Sequence, residues 1–380
     1  MGKRKGGGYH DIGEYYEHLI RTGGLAPGLI LPTEVELAKQ HSVTRTTVRR
    51  AFASLVNKGL VTKKQGLGTR VAMAAEVEGR ARSHVIIAAP MTQTMQPMPG
   101  VYHRDDHYHD GLYQYIESLA LGLADYSRRF RIAYYREDSA GMEAVVASAR
   151  EDGAMGIVAV DIGKAECVDR LAACGMPVVF LDCHTHARAV DAVKADNFAG
   201  AREATEFMLR TAGGPVAFVG ASSSREEGSP HQERLAGFLE ANREAGREVP
   251  DDLIHLGQVG SITGATAVDR TLARTEPPTG YVCSDDELAI GVLERLQVLG
   301  VPVPARAGVF GFGASITARA TTPLLSTVMI DRRSMGQRAV ELLHARLDDP
   351  SRPPEVVSVP VVVYPRQSTI VSLPDARPPR

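Results

Sequence analysis

From Val85 onward the chain repeats short, continuous apolar runs: Val85–Ala89, Arg131–Tyr135, Gly156–Val160, Val178–Leu181, Val216–Val219, Leu253–Leu256, Gly280–Cys283 and Gly308–Phe312. Stretches with helical periodicity, about 10–17 residues long, separate most of them. A strand apolar on both faces must be covered on both faces. Strand and helix in alternation therefore predict an open parallel sheet, doubly wound, as an α/β domain. Residues 84–370 are long enough for two such lobes.

The first 75 residues are of another kind. They hold twelve Lys/Arg against five Asp/Glu, a balance of +7, whereas the remaining 305 hold 31 against 40, a balance of −9. The sum is the net charge of −2. A basic small domain before an acidic large one predicts that only the first touches nucleic acid. Lys3 to Gly8 reads as a flexible basic arm, and Ile12, Tyr15, Tyr16, Leu19 and Ile20 place an apolar stripe on a helix over Asp11–Arg21. Thr33 with Glu36 three residues on predicts a capping box, with Val35, Leu37 and Ala38 as the apolar side of the helix it opens. His41-Ser42-Val43 reads as a tight turn and Thr44 as the cap of the next helix. Val48, Ala51, Phe52, Leu55 and Val56 face inward on that helix, so Arg45, Thr46, Arg49 and Arg50 face outward near its start. Leu60–Thr62 and Thr69–Val71 alternate as two strands around Gln65-Gly66-Leu67-Gly68, a wing. Arginine suits guanine edges and phosphates, and threonine suits phosphates and the thymine methyl. The fold expected for residues 1–75 is a winged helix-turn-helix (α+β), followed by a linker over 76–83.

Residues 31–71 resemble the GntR family of winged helix-turn-helix regulators. Leu31-Pro32-Thr33-Glu34, Glu36-Leu37-Ala38, Arg45-Thr46-Thr47-Val48-Arg49, Gly59-Leu60 and Gln65-Gly66-Leu67-Gly68-Thr69 stand in that family's order and spacing. The resemblance implies that the second helix enters the major groove of operator DNA and the wing tip lies at the minor groove. It carries the DNA-binding role to Thr33, Arg45, Thr46, Thr47, Arg49 and Gly66. Val35 departs from the pattern, since the family usually has a basic residue there.

Residues 84–370 resemble the effector domain of LacI/GalR-type regulators, a type I periplasmic-binding-protein fold. The matching pieces are Asp196–Ala201, Ala217–Gly220, Arg234–Phe238, Cys283–Gly291, Val309–Gly313 and Pro323–Val328. The pairing of the two domains is similar to the arabinose-repressor branch of the GntR family. It implies crossovers between lobes near residues 190, 322 and 350, and a small-molecule effector in the cleft between the lobes. Within that resemblance, Arg234 matches the family's ligand-binding arginine and Asp182 a cleft carboxylate, and Tyr113 stands where the family often has an aromatic near the ligand. Ser284 and Asp285 sit at another cleft strand end, and Arg332 falls at a cleft-facing position after the last crossover as a gained arginine. The resemblance further implies a homodimer, since one reading head covers only a half-site. Where the family commonly has Gly-Tyr/Phe-Asp-Asp, the chain reads Gly311-Phe312-Gly313-Ala314, and it has no tryptophan. A neutral sugar and an acidic one, such as a sugar acid or sugar phosphate, both stay open as effector.

Met91–Asp110 reads as a long loop, and three histidines and three aspartates fall within His103–Asp110. A metal site, a polar flap over the cleft and a plain solvated loop are its three readings. No metal or other cofactor is expected. Cys167, Cys174, Cys183 and Cys283 show no CxxC spacing, as expected for buried reduced thiols in the cytoplasm. No signal peptide or membrane-length apolar run is visible, and Arg366–Arg380 reads as a tail that is frayed over 371–380. The chain has no Gly-x-Ser-x-Gly elbow, His-Glu-x-x-His helix or Walker loop, which disfavours an enzyme. The reading is a DNA-binding transcriptional repressor controlled by a carbohydrate-like effector, with a sensor that does not bind DNA as the alternative.

Overall fold

A computed structural model describes residues 9–57, 60–64, 68–72, 84–91, 106–185 and 188–369. The chain divides into two compact units, the first built on Met1–His84 and the second on Val85–Arg150 with Gly156–Arg380. The basic arm, the linker over 76–83 and the tail over 371–380 lie outside the described residues.

The first unit contains α1 (Tyr9–Arg21), α2 (Glu34–His41), α3 (Arg45–Asn57), β1 (Val61–Lys64) and β2 (Gly68–Val71). Ile12 and Tyr16 of α1 meet Leu37 of α2 and Val48, Phe52 and Leu55 of α3, as expected, but Tyr15 of the expected stripe is exposed. The capping box at Thr33 is complete, with both reciprocal bonds formed. Ser42 ends α2 in the left-handed region at φ 56°, which turns the chain sharply into α3. Val35 departs from expectation, because it is exposed and only Leu37 and Ala38 are buried on α2. β1 and β2 pair antiparallel from Val61↔Val71 to Lys64↔Gly68. Leu29–Leu31 lies along β2, with Leu31 N donating to Thr69 O at 2.7 Å and Val71 N to Leu29 O at 2.8 Å.

The second unit holds two six-stranded sheets, one per lobe. The first lobe contains β3 (His84–Pro90), β4 (Arg129–Tyr135), β5 (Gly156–Val160), β6 (Val178–Leu181), β7 (Asp191–Ala195) and β13 (Val356–Val359), in the order β13-β7-β6-β5-β3-β4. The second contains β8 (Val216–Ala221), β9 (Ile254–Gly257), β10 (Gly280–Cys283), β11 (Gly308–Phe312), β12 (Ser326–Met329) and β14 (Val362–Tyr364), in the order β14-β12-β11-β10-β8-β9. β14 runs antiparallel to β12, while β8–β12 are joined in parallel. The helices are α4 (Asp106–Asp125), α5 (Ser139–Glu151), α6 (Ala165–Ala172), α7 (Asn197–Thr211), α8 (Pro230–Glu244), α9 (Ser261–Leu272), α10 (Asp286–Val298) and α11 (Arg332–Asp348).

Two expectations are corrected. The crossovers fall between β7 and α7, between β12 and α11, and between β13 and β14, several residues beyond positions 190, 322 and 350. Two strands at these points, β7 and β12, carry polar residues that hide them as apolar runs. In β7, Asp191 is buried because Arg346 Nε donates to it at 2.7 Å and Glu355 N at 3.0 Å. In β12, Ser326 and Thr327 are buried because each is hydrogen-bonded, to Thr369 and Asp286 respectively. Buried polar groups are tolerated when their partners are present. Second, the loop read over Met91–Asp110 is shorter, since Asp106–Asp110 already form the start of α4. His103 to Asp105 lie outside the described residues.

Candidate functional site

On the first unit, Arg45, Thr46, Arg49 and Arg50 lie exposed at the start of α3, because Val48, Ala51 and Phe52 take its inner face. Thr47 is half-buried, and its N–H donates to Thr44 Oγ1 at 3.2 Å, closing the first turn. Thr33 is engaged locally: its hydroxyl donates to Glu36 Oε2 at 2.9 Å and accepts from Glu36 N at 3.3 Å. Gly66 lies outside the described residues. Sequence reasoning missed Glu34. Its carboxylate accepts from Lys63 Nζ of β1 at 2.6 Å and from Arg49 Nε at 3.3 Å. The Lys63 hydrogen bond, joined by Arg49, holds this carboxyl below the usual glutamate range. One acid thus ties α2, the exposed face of α3 and the wing strand together.

On the second unit, the carboxyl ends of the strands meet between the lobes. Arg234 of α8 is 5% exposed; its Nε donates to Asn197 Oδ1 at 2.9 Å and its Nη1 to the Ser284 carbonyl at 2.6 Å. Its guanidinium lies 4.0 Å over the Phe312 ring. Asn197 is in turn held by Glu233 at 3.3 Å, and Glu233 pairs with Lys194 of β7. The Ser284 hydroxyl accepts from Ala221 N at 3.1 Å and lies 3.0 Å from His231 Nδ1. Burial, then Arg234 and His184, pull His231 well below the usual histidine range, so its ring is neutral at pH 7. Asp285 caps α10 by accepting from Glu287 N at 2.9 Å. Burial and the adjacent Asp286 push its carboxyl up to about 7. Asp286 itself accepts from Thr327 Oγ1 and Ser315 N, both at 2.6 Å.

From the first lobe, Asp182 follows β6 at φ 53°, and Asp161 follows β5 at φ 56°. Two aspartates in the left-handed region at adjacent strand ends are a local strain of the kind found at ligand sites. Burial and Asp182 push Asp161 up to about 7. Tyr115 OH donates to Asp182 Oδ2 at 2.7 Å. Arg332, the first residue of α11, donates from Nη1 to the Gly313 carbonyl of the other lobe at 2.9 Å and lies 5.6 Å over the Tyr115 ring.

Of the sequence-predicted cleft residues, Asp182, Arg234, Ser284, Asp285 and Arg332 are brought together. Tyr113 is not, because it is 63% exposed, and Tyr115 two positions on supplies the buried ring. The signal was available: Leu112, Tyr115, Leu119 and Leu123 are spaced as the inner stripe of α4, and all are buried. Asp161 was equally readable, as the residue after an apolar strand, in the way Asp182 was. Asn197 lies in the matching piece Asp196–Ala201, but the resemblance assigns it no role there, while His231 and Glu233 carry no sequence signal of their own. Among the described residues, no cluster of His, Cys, Asp or Glu is arranged to hold a metal ion. All four cysteines are buried and free.

Residues 9–71 match the family of bacterial regulatory proteins, gntR family, and residues 215–369 match the periplasmic binding protein-like domain. The chain is 29% identical over 185 residues to the HTH-type transcriptional repressor PurR of Escherichia fergusonii, covering 48% of this chain and 53% of that protein. It is 28% identical over 242 residues to the HTH-type transcriptional regulator GalR of Lacticaseibacillus casei, covering 63% of this chain and 72% of that one. The chain thus spans about half the length of the first curated relatives it matches. In fold, it superposes on the transcription regulator CcpA of Lactococcus lactis with a TM-score of 0.63 at 20% identity, over 76% of this chain and 100% of that one. It superposes on a transcriptional regulator solved as a CelR–cellobiose complex with a TM-score of 0.65 at 18% identity, over 89% and 100%. No helix among the described residues is long and apolar enough to cross a membrane.

Proposed function

We propose, for a chain that joins a gntR-type helix-turn-helix domain to a LacI/GalR-like periplasmic-binding-protein domain, that it is a DNA-binding transcriptional repressor relieved by a small effector. The observation that carries this is the outward face of α3. Three arginines and a threonine are exposed beside a short wing, on a unit whose charge is positive. Arg45 and Arg49 reach base edges or phosphates in the major groove of operator DNA, Thr46, Thr47 and Thr33 serve the backbone, and Gly66 lies at the wing tip. Tyr115, Asp182, Arg234, Ser284, Asp285 and Arg332 hold the effector between the lobes. The cellobiose complex of the fold neighbour supports a carbohydrate in that place. Leu121, Tyr126, Phe130 and Tyr134, exposed along the end of α4 and the edge strand β4, support pairing of two copies. The protein then acts in the cytoplasm as a homodimer on a near-palindrome. Effector binding alters lobe closure and with it the spacing of the reading heads, so effector and operator affinities are reciprocally coupled.

The test is a mobility shift on the DNA upstream of the protein's own gene, against an unrelated fragment, at two salt concentrations. A specific complex that weakens steeply with salt is the expected result. Equal binding to both fragments, or none to either, sinks the proposal.

A further inference from the structure

The cleft contains two unmet hydrogen-bonding atoms of opposite kind. Asp182 Oδ1, an acceptor, and Arg332 Nε, a donor, are both buried without a partner. A buried polar atom left unpaired is costly, and in a binding cleft the ligand is the natural partner. The two guanidiniums share a second property. Arg234 donates to the amide of Asn197 and the carbonyl of Ser284, and Arg332 to the carbonyl of Gly313. Each lies over an aromatic ring, and among the described residues neither forms an ion pair with a carboxylate. Arg234 is buried and Arg332 half-buried, and charge withdrawn from water is ordinarily paired.

The ground beside Arg332 is bare. Gly313 sits at φ +125°, a conformation that disfavours any side chain. A β-carbon there would lie 3.8 Å from Arg332 Nη2 and 3.6 Å from Asp286 Oδ2. The protein therefore places no acid of its own at Gly313, nor at Gly111, where a β-carbon would lie 3.3 Å from Arg332 Nε.

We infer that the effector is an acidic polyol, whose carboxylate or phosphate sits against Arg332 beside Gly313 while one of its hydroxyls donates to Asp182 Oδ1. This rests on the effector reading above. The cleft also carries Asp161, Asp182, Asp285 and Asp286, which favour a cation or a hydroxyl donor. Asp286 is already met by Thr327 and Ser315, and Tyr115 already donates to one oxygen of Asp182. Burial and a neighbouring aspartate bring Asp161 and Asp285 to about 7, so each is only partly charged at neutral pH. A neutral sugar would satisfy Asp182 but leave Arg332, which feels Asp161 and Asp286 without forming an ion pair with either, with no anion in contact.

Calorimetric titration of the full chain tests this with matched pairs: D-glucuronate and D-glucose, D-galacturonate and D-galactose, D-gluconate and sorbitol, glucose 6-phosphate and glucose, with inorganic phosphate alone beside them. At least one acid should bind about tenfold or more tightly than its neutral parent. Arg332→Gln should weaken that acid by about ten- to a hundredfold, the range for a hydrogen bond to a charged group, and leave the neutral parent within about threefold. Arg332→Lys, which keeps the charge, should recover most of the loss, and melting curves confirm that each variant is folded. The carboxylate and phosphate arms identify which anion is preferred. A neutral sugar that binds as tightly as its acid, an acid indifferent to Arg332→Gln, or no binding by any acid overturns the inference. If a neutral sugar binds and releases the upstream-DNA complex, the effector reading stands while this inference falls. If the protein makes no specific DNA complex, it is the regulator reading that falls.

Discussion

Arginine works at both candidate sites, under opposite conditions. On α3, Arg45, Arg49 and Arg50 stand in water, and among the described residues Glu34 tethers Arg49 of the three. In the cleft, Arg234 is 5% exposed and rests on an amide, a carbonyl and a ring. An exposed guanidinium keeps its hydration until a phosphate or base displaces it, so it contributes to binding and little to folding. A buried one has already lost its hydration, so the fold depends on its hydrogen bonds whether or not a ligand is present. Substitutions in the cleft should therefore disturb stability and binding together, and substitutions on α3 should disturb binding alone.

The largest effect that would break this contrast is at Arg234. Arg234→Met leaves Asn197 Oδ1 and the Ser284 carbonyl without their donor. Each orphaned group costs roughly 1–3 kcal/mol. Denaturant unfolding of the second unit should show a loss of about 2–4 kcal/mol, together with loss of any effector response. A variant of unchanged stability would mean that the buried guanidinium is not integral to the fold.

Asp161 sharpens the same contrast through pH. Its carboxyl is raised to about 7 in the folded state, so between the ordinary aspartate range and pH 7 the native protein binds more protons than the unfolded chain. Stability from this group is then highest at low pH and is lost as pH rises through 7. Asp161→Asn removes that loss. Against the parent it should gain roughly 1–3 kcal/mol at pH 8, with partial exposure taken into account, and little at pH 4. Equal gains at both pH values would contradict the assignment.

On α3 the expected pattern reverses. Arg45→Ala and Arg49→Ala should each weaken the upstream-DNA complex by about 1–3 kcal/mol if they contact bases, and leave melting within about 0.5 kcal/mol of the parent. A phosphate contact instead lowers the salt slope by about one. A variant that binds normally but melts early would place its arginine in the fold rather than at DNA.

How far the sequence carried this picture depended on whether a residue's partners are near it in the chain. Thr33 and Glu36 are three residues apart, and their capping box was readable. The inner stripe of α3 and the continuous apolar strands were readable for the same reason, since local periodicity reports burial. Asp191 was not, because the arginine that allows its burial is Arg346, 155 positions away. β7 was missed with it, and the first crossover was misplaced. Tyr113 and Tyr115 show a finer failure. Motif position favoured Tyr113, while the stripe of α4 turns Tyr115 inward. Glu34 and Asn197 stand within matched motifs, but what they do, like the role of His231, depends on contacts made only once distant elements are packed.

Glu34 is the smallest of these effects and the one that tests whether the exposed site has any built-in order. Its carboxylate bonds Lys63 at 2.6 Å and Arg49 at 3.3 Å while both cations stay largely exposed. Exposed ion pairs contribute about 0–1 kcal/mol, so Glu34→Gln should barely change melting at pH 7. Because the folded carboxyl is held below the usual glutamate range, its contribution is present above the unfolded pKa and is lost as pH falls through the folded one. The variant should therefore show a slightly flatter stability profile below about pH 4.5. Its effect on DNA decides between two roles. If the tether holds Arg49 and Lys63 ready for the duplex, the complex weakens by a few tenths to about 1 kcal/mol as their side-chain entropy returns. If the tether competes with phosphate for them, Glu34→Gln tightens the complex and steepens its salt dependence. An unchanged affinity and salt slope would leave Arg49 independent of Glu34 and reduce the tether to a surface ion pair.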